Sequence, residues 1–86
     1  MLVGYLASYA NSCRQADMSD VATRLNVQEI LIPRLADHRR QLTLAILVAR
    51  RKGLNRLRKG MLADVVECKT AIRVAQAKIR TAEFAV

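Results

Sequence analysis

The sequence contains few aromatic residues and few residues that interrupt helices. Its 86 residues include no Trp, one Phe, two Tyr, one Pro and three Gly. Sheet proteins with frequent turns need more turn-forming residues, so this composition favours helices. We therefore predict an all-α protein, a small four-helix bundle with a long, basic third helix and a heptad-patterned C-terminal helix. A single helical domain over residues 1–86 is expected to have a thin core, because so short a chain buries only about 60% of its unfolded surface.

Residues that carry catalytic or metal-binding chemistry are also scarce. The chain has one His and two Cys, and it contains no phosphate-cradling glycine loop. We predict that the protein is not an enzyme and that it has no cofactor, no metal site and no small-molecule substrate. Cys13 and Cys68 lie on apolar helical patterns without a second ligand at metal spacing, so we expect buried free thiols, with a disulfide as the alternative.

Long apolar runs are missing as well. No run approaches the roughly 18 residues that a membrane span requires. The N-terminal segment MLVGYLAS lacks the basic residues that open a secretory signal. We therefore expect a soluble, intracellular protein with no membrane span.

Acidic residues are absent from one third of the chain. Eight Arg or Lys residues and no Asp or Glu lie between His38 and Ala63, whereas the remainder has seven basic and seven acidic residues. The net charge of +8 therefore lies entirely in this segment. Eight like charges repel one another, and a polyanion would relieve that repulsion by releasing counterions. RNA and DNA are candidates, but an anionic membrane is disfavoured because residues 38–59 contain no Trp or Phe.

Apolar spacing predicts two helices in the N-terminal half. Apolar residues at three- and four-residue steps indicate a first helix over residues 2–14. Its stripe consists of Leu2, Leu6, Tyr9 and Cys13. Asp17 and Ser19 can cap a second helix, which Pro33 should kink or stop near Ile32. The inner side of that helix would carry Val21, Leu25, Ile30 and Leu31.

Two further helices are expected in the C-terminal half. Asp37 can cap a third helix from His38 to Lys59, and Gly60 can supply the left-handed turn that ends it. Its inner face would carry Leu44, Leu47, Val48, Leu54 and Leu57. The last helix, from Met61 onward, has a heptad seam in which β-branched residues alternate with small ones, a pattern that packs against another helix. This seam includes Val65, Cys68, Ile72, Ala75, Ile79 and Ala82.

Residues 20–35, DVATRLNVQEILIPRL, also suggest a helix-turn-helix with Asn26 at the turn. Its recognition helix would begin near Gln28 and would meet Pro33 just after its first turn, where a proline ring costs about 3 kcal/mol. A small DNA-binding protein is therefore one alternative function. A helical adaptor or chaperone, which docks another protein through the C-terminal heptad seam, is a second alternative.

The segments ATRLNVQEIL and DHRRQLTLAILVARRKGLNRL resemble the small-subunit ribosomal protein fifteen (S-fifteen) family. That family has an Arg-Ile/Leu-Asn step and a Leu-x-x-His-Leu step in its second helix, then an Asp-His-x-Ser loop. Its third helix is patterned Leu-x-x-Leu-Val-x-x-Arg-Arg-x-Leu-x-x-Tyr. The counterparts here are Arg24, Leu25, Asn26, Asp37, His38, Leu44, Leu47, Val48, Arg51, Lys52, Leu54 and Leu57. The resemblance covers residues 18–73, and residues 74–86 would form a helical extension. Four residues depart from the pattern. Ile30 replaces the family's second-helix His, Arg40 its loop Ser and Leu57 its third-helix Tyr, and Pro33 falls where its second helix is continuous.

The resemblance implies a ribosomal role. It predicts an rRNA-binding structural protein of a small ribosomal subunit, with rRNA and neighbouring ribosomal proteins as partners, and an organellar, mitochondrial ribosome in preference to a cytosolic one. The protein would contact a helical junction and an adjacent duplex through the third helix and its preceding loop, which Asp37 and His38 would form. The predicted RNA-binding residues are Arg24, Asp37, His38, Arg39, Arg40, Arg50, Arg51, Lys52, Arg56, Arg58 and Lys59.

Overall fold

Residues 2–84 fold into three helical rods. The computed structural model describes the backbone of residues 2–84 and the side chains of residues 8–84. The first rod is α1 (Leu2–Gln15). The second runs without a break through α2 (Val21–Asn26), a π-helical segment (Val27–Leu31) and α3 (Ile32–Arg51), and the third is α4 (Asn55–Phe84). The all-α prediction is confirmed, and residues 2–84 include no strand. A four-helix bundle is not confirmed, because the second and third predicted helices form one continuous rod.

The first helix begins and ends close to its predicted limits. α1 covers Leu2–Gln15, against a prediction of 2–14. Cys13 is fully buried and Tyr9 is half-buried, as the apolar spacing indicates. Ala10, which was not assigned to the stripe, is also fully buried. The side chains of Leu2 and Leu6, also assigned to that stripe, lie outside the described residues.

Asp20, rather than Asp17 or Ser19, caps the second rod. Its carboxylate accepts hydrogen bonds from the Ala22 N–H at 3.3 Å and from the Thr23 hydroxyl at 2.9 Å. Asp17 instead accepts from the backbone N–H and the hydroxyl of Ser19, which shapes the turn before the cap. The predicted cap was displaced because three polar residues that favour N-caps occur within four positions, so composition alone does not select one.

The second rod continues through Pro33 by widening into a π-helical turn. Proline has no N–H for the Glu29 carbonyl, and the π segment immediately precedes it. The Ile32 N–H reaches back five residues to the Val27 carbonyl, and Leu31 and Ile32 keep helical dihedrals. A kink or stop near Ile32 was predicted; the irregularity is present as a π-helical turn, but the rod does not stop there. The predicted helix-turn-helix is wrong, because its turn residue, Asn26, lies within the rod.

A glycine turn at residues 52–54 reverses the chain. Gly53 has a φ of +70°, and its N–H bonds to the Arg50 carbonyl at 3.2 Å while the Leu54 N–H bonds to the Ala49 carbonyl at 2.9 Å. These two bonds form a Schellman cap, which favours Gly at the left-handed position. The predicted end of the third helix at Gly60 is wrong, since Gly60 lies inside α4.

The hydrophobic core lies toward one end of the α3–α4 hairpin, where α1 packs against both helices. Leu35, Val27 and Cys13 are buried there with residues of α4. Tyr9 of α1 is held against α3 by Arg34, whose guanidinium donates to the Tyr9 hydroxyl at 3.0 Å. The molecule measures 51 × 21 × 16 Å, so the hairpin extends well beyond this core.

The face of α3 predicted to be internal is exposed. Leu35 and Ala49 are buried and Leu42 is half-buried, so a seven-residue repeat marks the internal face of α3. At about 100° per residue, Leu44 and Leu47 lie roughly opposite that repeat. The complete set of exposed residues that were assigned to inner faces is Val21, Leu25, Ile30, Leu44, Leu47, Val48, Leu54 and Leu57.

Candidate binding surface at the hairpin tip

The hairpin tip, residues 44–62, carries most of the predicted basic residues and no acidic residue. It contains the end of α3, the Gly53 turn and the first two turns of α4. Five basic side chains there are exposed and Arg58 is half-buried. The exposed members are Arg50, Arg51, Lys52, Arg56 and Lys59. The antiparallel helices thus bring together six positive charges at one end of an elongated molecule.

Arg39 and Arg40 lie on the same rod but farther from the turn. Arg40 precedes Arg50 by ten residues, which is about 15 Å along a helix. Both are exposed, and the Arg40 guanidinium is 3.6 Å from the Asp37 carboxylate. Because both side chains of that pair are largely in solvent, the ion pair contributes little to stability.

The predicted loop of Asp37 and His38 is wrong. Both residues lie in the interior of α3, because the helix that was expected to end before them is continuous. Asp37 therefore caps no helix, and it is exposed beside Arg40. The half-buried His38 has its ring centroid 6.4 Å from that of Tyr9. These two residues cannot form the projecting loop that the family resemblance implies.

Arg24 is remote from the other predicted RNA-binding residues. It lies on α2, is half-buried, and borders a shallow depression between the second rod and α4. Asp17 and Lys78 line the same depression. The structure therefore does not bring Arg24 together with the hairpin tip.

Arg58 has an unpaired nitrogen inside the tip. Its Nε is buried and has no hydrogen-bond partner among the described residues. A buried donor without a partner costs about 1–3 kcal/mol. The positive charge at this position therefore comes with a cost to folding.

The tip also exposes aliphatic side chains that the sequence reasoning had placed inside. Leu44 is 62% exposed, Leu47 51% and Val48 52%, all on the outer face of α3. Leu54 and Leu57 are exposed near the turn. The signal that could have identified this surface is that α3 has apolar residues on two opposite faces, of which only one can face α4.

A groove of about 840 Å³ lies between α3 and α4 near the tip. Leu42 and Ala45 contribute one wall, and Leu57 and Met61 contribute the other. His38, Gln41, Asn55, Arg56 and Asp64 supply its polar margin. The groove is predominantly apolar, which suits contact with a hydrophobic side chain more than with a small polar ligand.

The two cysteines are free and buried, as predicted. Burial raises the pKa of the Cys13 thiol. Burial also raises the pKa of the Cys68 thiol, and the nearby carboxylates of Asp64 and Glu67 add to that shift while Arg39 opposes it. Neither thiol is therefore activated as a nucleophile or metal ligand. Within residues 2–84, no cluster of three potential metal-binding side chains occurs.

The heptad seam of α4 faces the interior of this chain. Cys68, Ala75 and Ile79 are buried in the core, and Ile72 and Ala82 pack against it. Val65 is half-buried closer to the tip. The small residues at the centre of the seam allow α1 to approach α4 closely. The surface that the structure leaves open is the hairpin tip rather than this seam.

No model of a known protein family, no curated protein and no solved structure matches this chain. Among residues 2–84, no helix has the length and apolar character needed to cross a membrane.

Proposed function

We propose that this protein is an RNA-binding structural protein and that the six basic residues of the hairpin tip form its RNA-binding surface. The observation that carries the proposal is the gathering of six basic residues, without an acid, on residues 44–62. A positive region of this density attracts phosphates and gains free energy from counterion release. Lys and Arg contacts of this kind position a protein on nucleic acid without reading its sequence.

The shape of the tip supports RNA as the polyanion. A-form RNA has a wide, shallow minor groove, and proteins bind it mostly through shape, 2′-hydroxyl and phosphate contacts. The narrow end of a two-helix hairpin can lie along such a surface, with Lys52 at the turn and Arg50 and Arg56 on its two arms. In this proposal the turn at residues 52–54 replaces Asp37 and His38 as the loop that approaches the RNA.

In its specific form, the proposal is that the protein binds small-subunit rRNA near a helical junction and its flanking duplex. Its support is the S-fifteen resemblance over residues 18–73, which also implies neighbouring ribosomal proteins, a small ribosomal subunit and a mitochondrial location. The proposal is compatible with a fold in which the predicted second and third helices form one continuous rod. A separate four-helix bundle is not required, because phosphate contact depends on the tip alone.

The test compares two triple variants in binding to a labelled three-way-junction RNA. The tip variant carries Arg50→Gln, Arg51→Gln and Arg56→Gln, and fluorescence anisotropy gives Kd as salt is raised from about 50 to 200 mM. Each lost phosphate contact should reduce the slope of log K against log salt by about 1, so a reduction of about 2–3 is expected.

The matched control removes the same charge from α4 outside the tip. Its substitutions are Lys69→Gln, Arg73→Gln and Arg80→Gln, all at exposed positions. The control should retain the salt slope of the unmodified protein. Equal losses in both variants would show that net charge, not the tip, drives binding. Preference for duplex DNA over the junction RNA in direct competition would also contradict the proposal.

A further inference from the structure

The outer face of α3 carries an aliphatic stripe that phosphate binding does not explain. The stripe consists of Leu44, Leu47 and Val48, each more than half exposed. Their i, i+3 and i+4 spacing places them side by side on one helical face. Aliphatic side chains gain nothing from contact with phosphates, whereas transfer out of water stabilises them. The stripe therefore needs an apolar partner.

The spacing of the stripe suits another helix. Residues at i, i+3 and i+4 form a ridge that packs into the grooves of a neighbouring helix. The opposite face of α3 already packs against other helices of this chain, because Leu35 and Ala49 are buried on it and α3 contacts both α4 and α1. α3 is thus apolar on two sides and covered on one.

The charges that flank the stripe select the chemistry of that helix. Arg40 lies four residues before Leu44, and Arg51 lies four residues after Leu47, so both are on the same face as the stripe. Both are exposed. A helix with leucines at its centre and carboxylates on its margins would satisfy the aliphatic residues and the two guanidinium groups together.

Other occupants fit less well. A second copy packed on the stripe would bring Arg40 and Arg51 close to the same residues of its partner, and like charges across an interface are repulsive. An anionic membrane is disfavoured because membrane-surface helices usually insert Trp or Phe, which residues 38–59 lack. RNA would pair the two arginines and leave the aliphatic residues unsatisfied.

We propose that the aliphatic stripe of α3 is a docking site for an acidic, amphipathic helix of another protein. This inference is independent of RNA binding at the turn, although Arg51 contributes to both surfaces. The expected partner helix has leucines at three- and four-residue steps and Glu or Asp on both sides of them. Docking would cover the exposed outer face of α3 and leave the core unchanged.

The probe is a labelled synthetic helix of about 20 residues, with a leucine stripe flanked by Glu, whose Kd is measured by anisotropy. Two control peptides replace all Glu by Lys or all Leu by Ser. The acidic leucine peptide should bind at least about tenfold more tightly than either control, a difference of about 1.4 kcal/mol. Equal binding of the Lys peptide would overturn the charge argument, and equal binding of the Ser peptide would overturn the apolar one.

The matched protein variants are Leu44→Gln with Leu47→Gln, and Val21→Gln with Leu25→Gln. The second pair is also more than half exposed but lies on α2, away from the tip. The stripe variant should weaken peptide binding at least about tenfold, while the α2 variant should leave it unchanged. Circular dichroism should show the same helix content in both, because none of the four side chains is buried.

Three further measurements distinguish the proposal from its competitors. The stripe variant should retain its affinity for junction RNA. A loss of RNA affinity in this variant would show that the stripe belongs to the RNA-binding surface and would overturn the proposal. Sedimentation should show a monomer for the unmodified protein, and a dimer that the stripe variant abolishes would overturn the proposal. Binding to phosphatidylserine vesicles that depends on the stripe would overturn it in favour of a membrane.

Discussion

Truncation of Leu35 should unfold the protein far more readily than truncation of Leu44. Both are leucines of α3, nine residues apart, but Leu35 is fully buried and Leu44 is 62% exposed. Leu35 is also the largest fully buried side chain among the described residues. The pair therefore tests directly which face of α3 is internal.

The magnitudes differ because only one truncation creates a cavity. A buried Leu→Ala change costs about 2–5 kcal/mol, and we expect about 3 kcal/mol at Leu35. A domain of 86 residues has a free energy of unfolding of about 4–13 kcal/mol, so this loss is a large fraction of the total. At Leu44 the expected change is within about 0.5 kcal/mol, because the side chain gains little from folding and Ala favours the helix.

Urea and thermal unfolding, followed by far-ultraviolet circular dichroism, measure both changes. At roughly 4–8 °C per kcal/mol for a domain of this size, Leu35→Ala should lower Tm by about 12–24 °C. Leu44→Ala should shift it by only a few degrees. If Leu44→Ala costs as much as Leu35→Ala, the outer face of α3 is internal and the proposed stripe does not exist.

Three other substitutions or titrations follow from single features of the fold. Gly53→Ala should lower the free energy of unfolding by about 1–2 kcal/mol, because φ is +70° there and Ala disfavours that conformation. Gly60→Ala should raise the free energy of unfolding by up to about 1 kcal/mol, because Gly60 lies inside α4 and an added Cβ meets no other atom. Thermal unfolding measures both changes. Because burial raises the pKa of Cys13 and Cys68, folding stability measured in urea should fall as pH rises above the ordinary thiol value of 9.0, and substitution of both by Ala should remove this dependence. Stability that is constant with pH in the unmodified protein would contradict that assignment. Arg58→Met should raise the free energy of unfolding by about 1 kcal/mol, because it removes a buried donor without a partner, and a loss of stability in urea would show that the Arg58 side chain is satisfied.

Local signals predicted several parts of the structure from sequence. The apolar spacing of α1 predicted its limits to within one residue. The cysteines were correctly placed as buried free thiols, since both lie on apolar patterns. The buried centre of the α4 seam was also recognisable, because Cys68 and Ala75 lie at one heptad position and Ile79 lies at the other.

The errors share a physical cause, which is that two equally good local signals competed. Gly53 and Gly60 both can end a helix, and only the Schellman bonds of the folded chain select Gly53. Asp37 is a strong N-cap residue in isolation, yet the rod continues through it because a π-helical turn accommodates Pro33. Tertiary packing overrides such weak local preferences.

The assignment of the inner face of α3 was the most consequential error, because it placed the exposed aliphatic stripe of Leu44, Leu47 and Val48 in the core. Leu35, Leu42 and Ala49 give one apolar repeat, and Leu44, Leu47 and Val48 give another on the opposite side. Periodicity identifies both stripes but cannot say which one contacts α4, and the bulkier residues are usually assigned to the core. Here the small Ala49 is buried near the tip, and the larger Leu44, Leu47 and Val48 side chains lie outside. Burial of the Leu35, Leu42 and Ala49 face thus leaves an apolar surface exposed between Arg40 and Arg51.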